Sequence, residues 1–262
     1  MKRVIGVVII AVAAAFAFVT LRTQDAPDHL TIVNAQLVLG SAKATSGMLF
    51  FTVQNTGAPD ALVRVTAKGM AGIHPMASNT GDGSMPVPGG GDAIFSADGA
   101  HMMVGGLSGT FEHGASVPIS VQFSQAGALA ARAQVAVADS GDGMAAMNHG
   151  ASVMIEDGTS IPDLTLTVLP GDTGYNVALD TENFTFFTPP TGQDMAAHIA
   201  GEGHGHLYLN GVKLRRMYGA TAQIGTLLPG RYTVTVTLNS NDHRTYVTQN
   251  GMIMATAELV VE

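Results

Sequence analysis

Between Ile32 and Val137 apolar residues recur at every second position in short runs, punctuated by Gly, Pro and Asn. Side chains of an extended chain point alternately to opposite faces, so this period predicts half-buried strands. The clearest run is Val117-Pro118-Ile119-Ser120-Val121-Gln122-Phe123, with Val, Ile, Val and Phe on one face. Pro118 has no N–H to donate, which suits an edge or strand-start position. Leu49, Phe51 and Val53 form a similar inward face before the turn residues Asn55-Thr56-Gly57. No stretch of comparable strength has helical period.

The alternation lapses from Asp139 to Ser160, where Asp-Ser-Gly-Asp-Gly leads into Met144, Met147, Asn148 and His149, and this segment is expected to be a linker. A second β-rich stretch follows, with strands expected over 164–168, 175–179, 206–209, 232–238 and 255–261. Asn210-Gly211 between two alternating runs is the strongest short-range hairpin signal, favouring a two-residue type I′ turn. If Leu209 pairs with Val212, Tyr208 faces Lys213, Leu207 faces Leu214, His206 faces Arg215 and His204 faces Met217. There is no strong internal repeat. The expected architecture is all-β, with two sandwich or barrel domains over 30–138 and 161–262 joined by the linker 139–160.

The chain of 262 residues is long enough for two domains of about 100 residues each. Lys2 and Arg3 precede an uncharged run from Val4 to Leu21, the pattern of a secretory signal or, at that length, a membrane anchor over residues 1–22. Everything after Leu21 is then expected on the far side of a membrane, in the periplasm. Apolar residues make up 46% of the chain and charged residues 12%, which supports real cores rather than disorder. A net charge of −8, with no basic cluster beyond Arg215-Arg216, leaves no footprint for nucleic acid.

Cysteine is absent, which excludes disulfides, thiol catalysis and thiolate-held metals, while 14 Met and 9 His are present. Met is ordinarily a core filler, so position decides its role. His74, Met85, His101 and Met103 fall within one 30-residue window. Residues i and i+2 of a strand share a face, so His101 and Met103 can converge while Met102 turns away. The Gly- and Pro-rich stretch from Gly81 to Gly91 is expected to be a loop that brings Met85 towards His74. Thioether sulfur is soft and neutral and favours Cu(I) over Zn(II), Ca(II) or Mg(II), and imidazole accepts either copper oxidation state. Met76, two residues from His74, is a substitute for Met85.

At these residues the chain resembles the periplasmic copper chaperones called PCu(A)C. Their pattern of His-x10-Met, a spacer and His-x-Met is matched by His74, Met85, His101 and Met103. Val53-Gln54-Asn55-Thr56-Gly57 and Val117-Pro118-Ile119 with Phe123 are also similar, so the resemblance spans about residues 32–137. It implies a cupredoxin-like β-barrel that binds Cu(I) through those two His and two Met. It also implies delivery to an acceptor such as the dinuclear copper centre in cytochrome c oxidase subunit II, directly or through another copper chaperone. The spacer from Met85 to His101 is 15 residues where the family has about 21, a change that loop closure tolerates.

Met144, Met147 and His149 resemble the Met/His-rich tails of that family, or form an ordinary solvated linker. In the second stretch, His204, His206 and Met217 are expected on one face of the hairpin, as a second site for Cu(I) or Cu(II). His243 is the expected fourth ligand, with Met195 and His198 as weaker candidates. No nucleophile elbow, zinc-protease helix or P-loop is present, so no enzyme is expected. A copper enzyme chelating through a mature amino terminus would need cleavage directly before His29. The rivals to delivery are copper sequestration and a metal-free envelope-binding β-module.

Overall fold

The computed structural model describes residues 29–76, 85–138, 152–155, 160–193 and 195–262. The expected signal or anchor over 1–22 and the linker residues Met144, Met147 and His149 lie outside these. All regular elements among the described residues are strands, and none is a helix long and apolar enough to cross a membrane.

The first half carries β1 (Leu30–Leu39), β2 (Ser46–Asn55), β3 (Asp60–Ala67), β4 (Gly72–Met76), β5 (Met85–Val87), β6 (Gly91–Phe95), β7 (His101–Gly105), β8 (Ser116–Phe123) and β9 (Gly127–Val137). Strand β2 pairs with β1 on one side, and on the other with β7 along its first part and β6 along its second. Strand β4 extends this sheet beyond β7. On the opposite side β3 pairs with β5 and β8, and β9 joins the two sides by pairing antiparallel to β8 and parallel to β1. The alternation read from the sequence sets what faces inward: Leu49, Phe51 and Val53 of β2 pack with Ile119, Val121 and Phe123 of β8 in one apolar cluster. Burying such side chains contributes about 1.5–3 kcal/mol each.

Asp60, at the start of β3, is buried and ties the β8–β9 turn to this sheet. Its carboxylate accepts from the backbone N–H of Ala61 at 2.7 Å, Gln125 at 2.9 Å and Ala126 at 2.8 Å, and from Ser124 Oγ at 2.7 Å.

The second half carries β10 (Ser152–Met154), β11 (Asp163–Pro170), β12 (Tyr175–Glu182), β13 (Thr185–Phe186), β14 (Glu202–Leu209), β15 (Val212–Met217), β16 (Thr221–Ile224), β17 (Gly230–Ser240), β18 (Thr245–Thr248), β19 (Gly251–Met252) and β20 (Met254–Val261). Strand β10 falls inside the stretch expected to be linker and pairs parallel to β18. Strand β14 is central, between β15 and β17, and β17 pairs onward with β20. Strands β11, β12 and β16 form a separate sheet. The second apolar cluster gathers Leu207, Leu209, Val234, Val236, Leu238 and Tyr246 among others.

The two halves are in direct contact. Val212 of β15 is fully buried in the first half's cluster, and Lys213 pairs with Ile94 of β6. Ala100 N–H donates to the Gly211 carbonyl at 2.8 Å, and Gly89 and Thr226 exchange backbone hydrogen bonds at 2.9 and 3.2 Å. Beside that bridge the backbones of Gly225 and Gly89 touch so closely that a Cβ on Gly225 would collide with the Gly89 carbonyl oxygen. Gly225→Ala is therefore expected to destabilise the protein by about 1–3 kcal/mol in a denaturant titration. Gly219→Ala, where an added Cβ meets nothing within 4 Å, should leave the transition in place.

Candidate metal centres

The first constellation lies on the outer face of the β4–β7 ladder. The register sets His74 opposite Met103 and Met76 opposite His101, and directly opposed residues share a face with Cβ atoms about 4.5–5.5 Å apart. His74, Met76, His101 and Met103 therefore form one square of soft donors, while Met102 and Val104 point into the core. Strand β2 adds Met48 opposite Met103, and the Phe50 ring stands edge-on to His101 with centroids 6.0 Å apart. His74, Met76 and Met103 are exposed, and His101 is buried beneath them. The His101 Nδ1 lies 3.0 Å from the Gly99 carbonyl oxygen. A carbonyl can only accept, so Nδ1 carries the proton and Nε2 keeps the lone pair that a metal needs.

Met85 is not part of this square. It pairs with Leu62 in the β3–β5 ladder and is fully buried in the first apolar cluster. The stretch from Gly81 to Gly91, expected as a loop, carries β5 and the start of β6. Met85, expected beside His74, thus has its thioether in the core here, and Met76 stands across the ladder from His101.

The second constellation is built on β14. Gly205, Leu207 and Leu209 face the second core, so His204, His206 and Tyr208 share the opposite face. The His204 and His206 Nε2 atoms are 2.9 Å apart. His243 comes from the turn after β17, in a left-handed conformation with φ of 65°, and its ring centroid is 4.7 Å from that of His204. One nitrogen from each of the three rings lies within 4.8 Å of the others. Asn210, also left-handed with φ of 48°, and Gly211 form the expected hairpin turn.

The register beyond that turn differs from expectation. Leu209 pairs with Val212 and Tyr208 with Lys213, but an extra residue on β15, Leu214, opposite the step from Leu207 to Tyr208 shifts the rest by one, so Leu207 faces Arg215, His206 faces Arg216 and Gly205 faces Met217. A one-residue slip sends a side chain to the other face. Met217 is accordingly buried in the second core and does not stand beside His204. Of the weaker candidates, Met195 lines the same cleft as His206 and His243, and His198 packs on the Tyr246 ring.

Two residues that the sequence did not single out complete this cluster. Asp98, in the turn between β6 and β7, accepts from Lys213 Nζ at 2.6 Å and His206 Nδ1 at 2.9 Å through Oδ2, and from Ser96 Oγ at 2.6 Å through Oδ1. Burial alone would raise its pKa, but the His206 hydrogen bond and the Lys213 charge outweigh that and hold it well below the carboxylate range. Burial pushes His206 down to about 4 despite the Asp98 hydrogen bond, and burial with the neighbouring His206 and His243 pushes His204 down to about 3. Both rings are neutral near pH 7. With His206 Nδ1–H given to Asp98, its Nε2 accepts from His204 Nε2–H, and Lys213 Nζ is 3.4 Å from the same Nε2. Lys213 sits opposite Tyr208 in the hairpin, a legible placement, whereas nothing local marks Asp98.

Residues 11–137 match the family described as "Putative lipoprotein LpqE-like". Over those residues the chain is similar to that family. The match covers the stretch whose motifs resemble PCu(A)C. Similar solved structures include "Apo PCuAC domain from PmoF1", 16% identical, covering 42% of this chain and 95% of that one with a TM-score of 0.39. "Copper-bound PCuAC domain from PmoF2" is 18% identical over 42% of this chain and 94% of that one, with a TM-score of 0.39. The Cu(I) form of DR1885 from Deinococcus radiodurans is 20% identical over 42% and 80%, with a TM-score of 0.35. No curated protein matches the chain.

Proposed function

We propose that this protein is an exported copper carrier that binds Cu(I) through His74, Met76, His101 and Met103. It passes the ion to a copper-accepting protein such as cytochrome c oxidase subunit II, directly or through another copper chaperone. The observation that carries this reading is the β4–β7 register, which gathers two imidazoles and two thioethers on one outward face. Neutral soft donors suit Cu(I), and a site without thiolate holds it loosely enough for release. Three of the four donors are exposed, so an acceptor can reach the ion. The lipoprotein description of the matching family and the Lys2-Arg3 start before an apolar run support export to the periplasm.

The test is competition for Cu(I) against a chromophoric chelator, with X-ray absorption at the copper edge, on the full chain. Wild type should hold one equivalent whose shell includes sulfur. His74→Ala with His101→Ala should weaken that equivalent by about 100-fold or more. If the sulfur-containing equivalent survives the double substitution unchanged, the reading fails.

Sequestration is the second reading, favoured by the additional imidazole cluster on β14. A carrier transfers Cu(I) to an apo copper domain faster than release into solvent allows, whereas a sequestering protein holds it. A metal-free envelope-binding module would take up no copper.

A further inference from the structure

The imidazole cluster on β14 is chemically unlike the thioether face. Met217 is buried on the other side of its strand, so the donors left are His204, His206 and His243, of which His206 and His243 line a cleft and His204 is buried beside them. The cleft, about 1290 Å³, is also lined by Met195, Arg216 and Tyr218. Nitrogen donors bound at about 2.0 Å on adjacent corners of a tetragonal ion stand roughly 2.8 Å apart. The 2.9 Å between the His204 and His206 Nε2 atoms is already close to that, and His243 reaches the same point from a turn at the cleft wall.

Asp98 supplies what a metal-binding His needs behind it. Its carboxylate accepts the His206 Nδ1 proton at 2.9 Å, which leaves Nε2 facing His204. Asp98 belongs to the first half of the chain, and its turn is held against the second by the Ala100 to Gly211 hydrogen bond. The cluster is therefore complete only when both halves are in place.

Lys213 is the unusual member. Its side chain is 8% exposed, and its ammonium lies 2.6 Å from Asp98 and 3.4 Å from His206 Nε2. A cation at Nε2 would stand within a few ångströms of that ammonium and be repelled by it. The ammonium neutralises Asp98 in the metal-free protein, a task a bound cation would share.

We propose that His204, His206 and His243 form a second copper site that accepts Cu(II), with Asp98 as a positioning residue and Lys213 as an internal counter-charge that keeps the ion exchangeable. Imidazole without thioether suits Cu(II), which binds nitrogen sites more tightly than the other first-row divalent ions. The protein then handles both oxidation states, Cu(I) on the thioether face and Cu(II) in the cleft. This inference does not rest on the thioether face.

The test uses the full chain carrying His74→Ala and His101→Ala, titrated with Cu(II) against glycine as competitor and followed by electron paramagnetic resonance. One equivalent should bind and show nitrogen coupling. His243→Asn, which keeps a residue that tolerates the left-handed turn, should weaken it at least about tenfold. Lys213→Met should tighten binding, by about tenfold. If Lys213→Met fails to fold, Lys213→Gln should tighten it in the same direction. Asp98→Asn should alter the Cu(II) spectrum as well as the affinity. No specific equivalent, an equivalent indifferent to His243→Asn, or weaker binding in a folded Lys213 variant would each overturn the proposal.

Discussion

Asp60→Ala is expected to cost about 3–4 kcal/mol of stability, read as a lower midpoint in a urea titration, because it takes the acceptor from three backbone N–H groups and a hydroxyl. The carboxylate accepts three backbone N–H groups and the Ser124 hydroxyl, and so fastens the β8–β9 turn to the start of β3. Burial alone would raise the Asp60 pKa, but the hydrogen bonds from Ser124, Ala61, Gln125 and Ala126 outweigh it and hold the group below its ordinary value of 3.8. The sign follows from linkage. A carboxylate whose pKa is lower folded than unfolded contributes stability that is present above the unfolded pKa and lost as pH falls through the folded one. Wild type should therefore lose this contribution as pH falls from about 4 downwards, and Asp60→Asn should flatten that part of the profile. An Asp60→Asn protein with the same acid dependence as wild type would contradict the assignment.

Met85 and Met76 should respond in opposite ways to the same changes. Met85→Ala empties a fully buried position and is expected to cost about 2–5 kcal/mol, with the Cu(I) stoichiometry of the folded protein unchanged. Met85→Leu conserves volume and should cost under about 1.5 kcal/mol, again with copper retained. Met76 is 52% exposed, so Met76→Leu should leave stability within about 0.5 kcal/mol of wild type. It should nevertheless loosen Cu(I) about tenfold by removing a thioether donor. Loss of Cu(I) in Met85→Leu with retention in Met76→Leu would return the ligand role to Met85 and require β5 to move on binding.

Much of the strand pattern was legible because alternation is a local property. The inward faces of β2 and β8 follow from Leu49, Phe51 and Val53 and from Ile119, Val121 and Phe123, and each lies on the core side. The Asn210-Gly211 turn was legible for the same reason: left-handed backbone at adjacent positions is a demand few residue types meet. The bulge at Leu214 of β15 was not, since it depends on how the hairpin packs rather than on its own residues. That bulge alone moved Met217 from the imidazole face to the core.

Met85 illustrates the same limit. A thioether is both a soft ligand and an apolar filler, and its spacing from His74 does not decide between them. Pairing of β5 with β3 does, by placing Met85 under the first sheet.

The sequence by itself determined the all-β class, the main strands and their buried faces, and the convergence of His101 with Met103, because the period of two is written in neighbouring residues. It also determined the donor chemistry, since a chain without cysteine but rich in Met and His offers thioether and imidazole alone. Only the tertiary structure decided which donors meet. Met76 came to His101 across the β4–β7 ladder, and Asp98 came to His206 across 108 positions of chain, from the other half of the molecule. Such contacts depend on strand pairing and on the packing of two cores, and no local pattern encodes either.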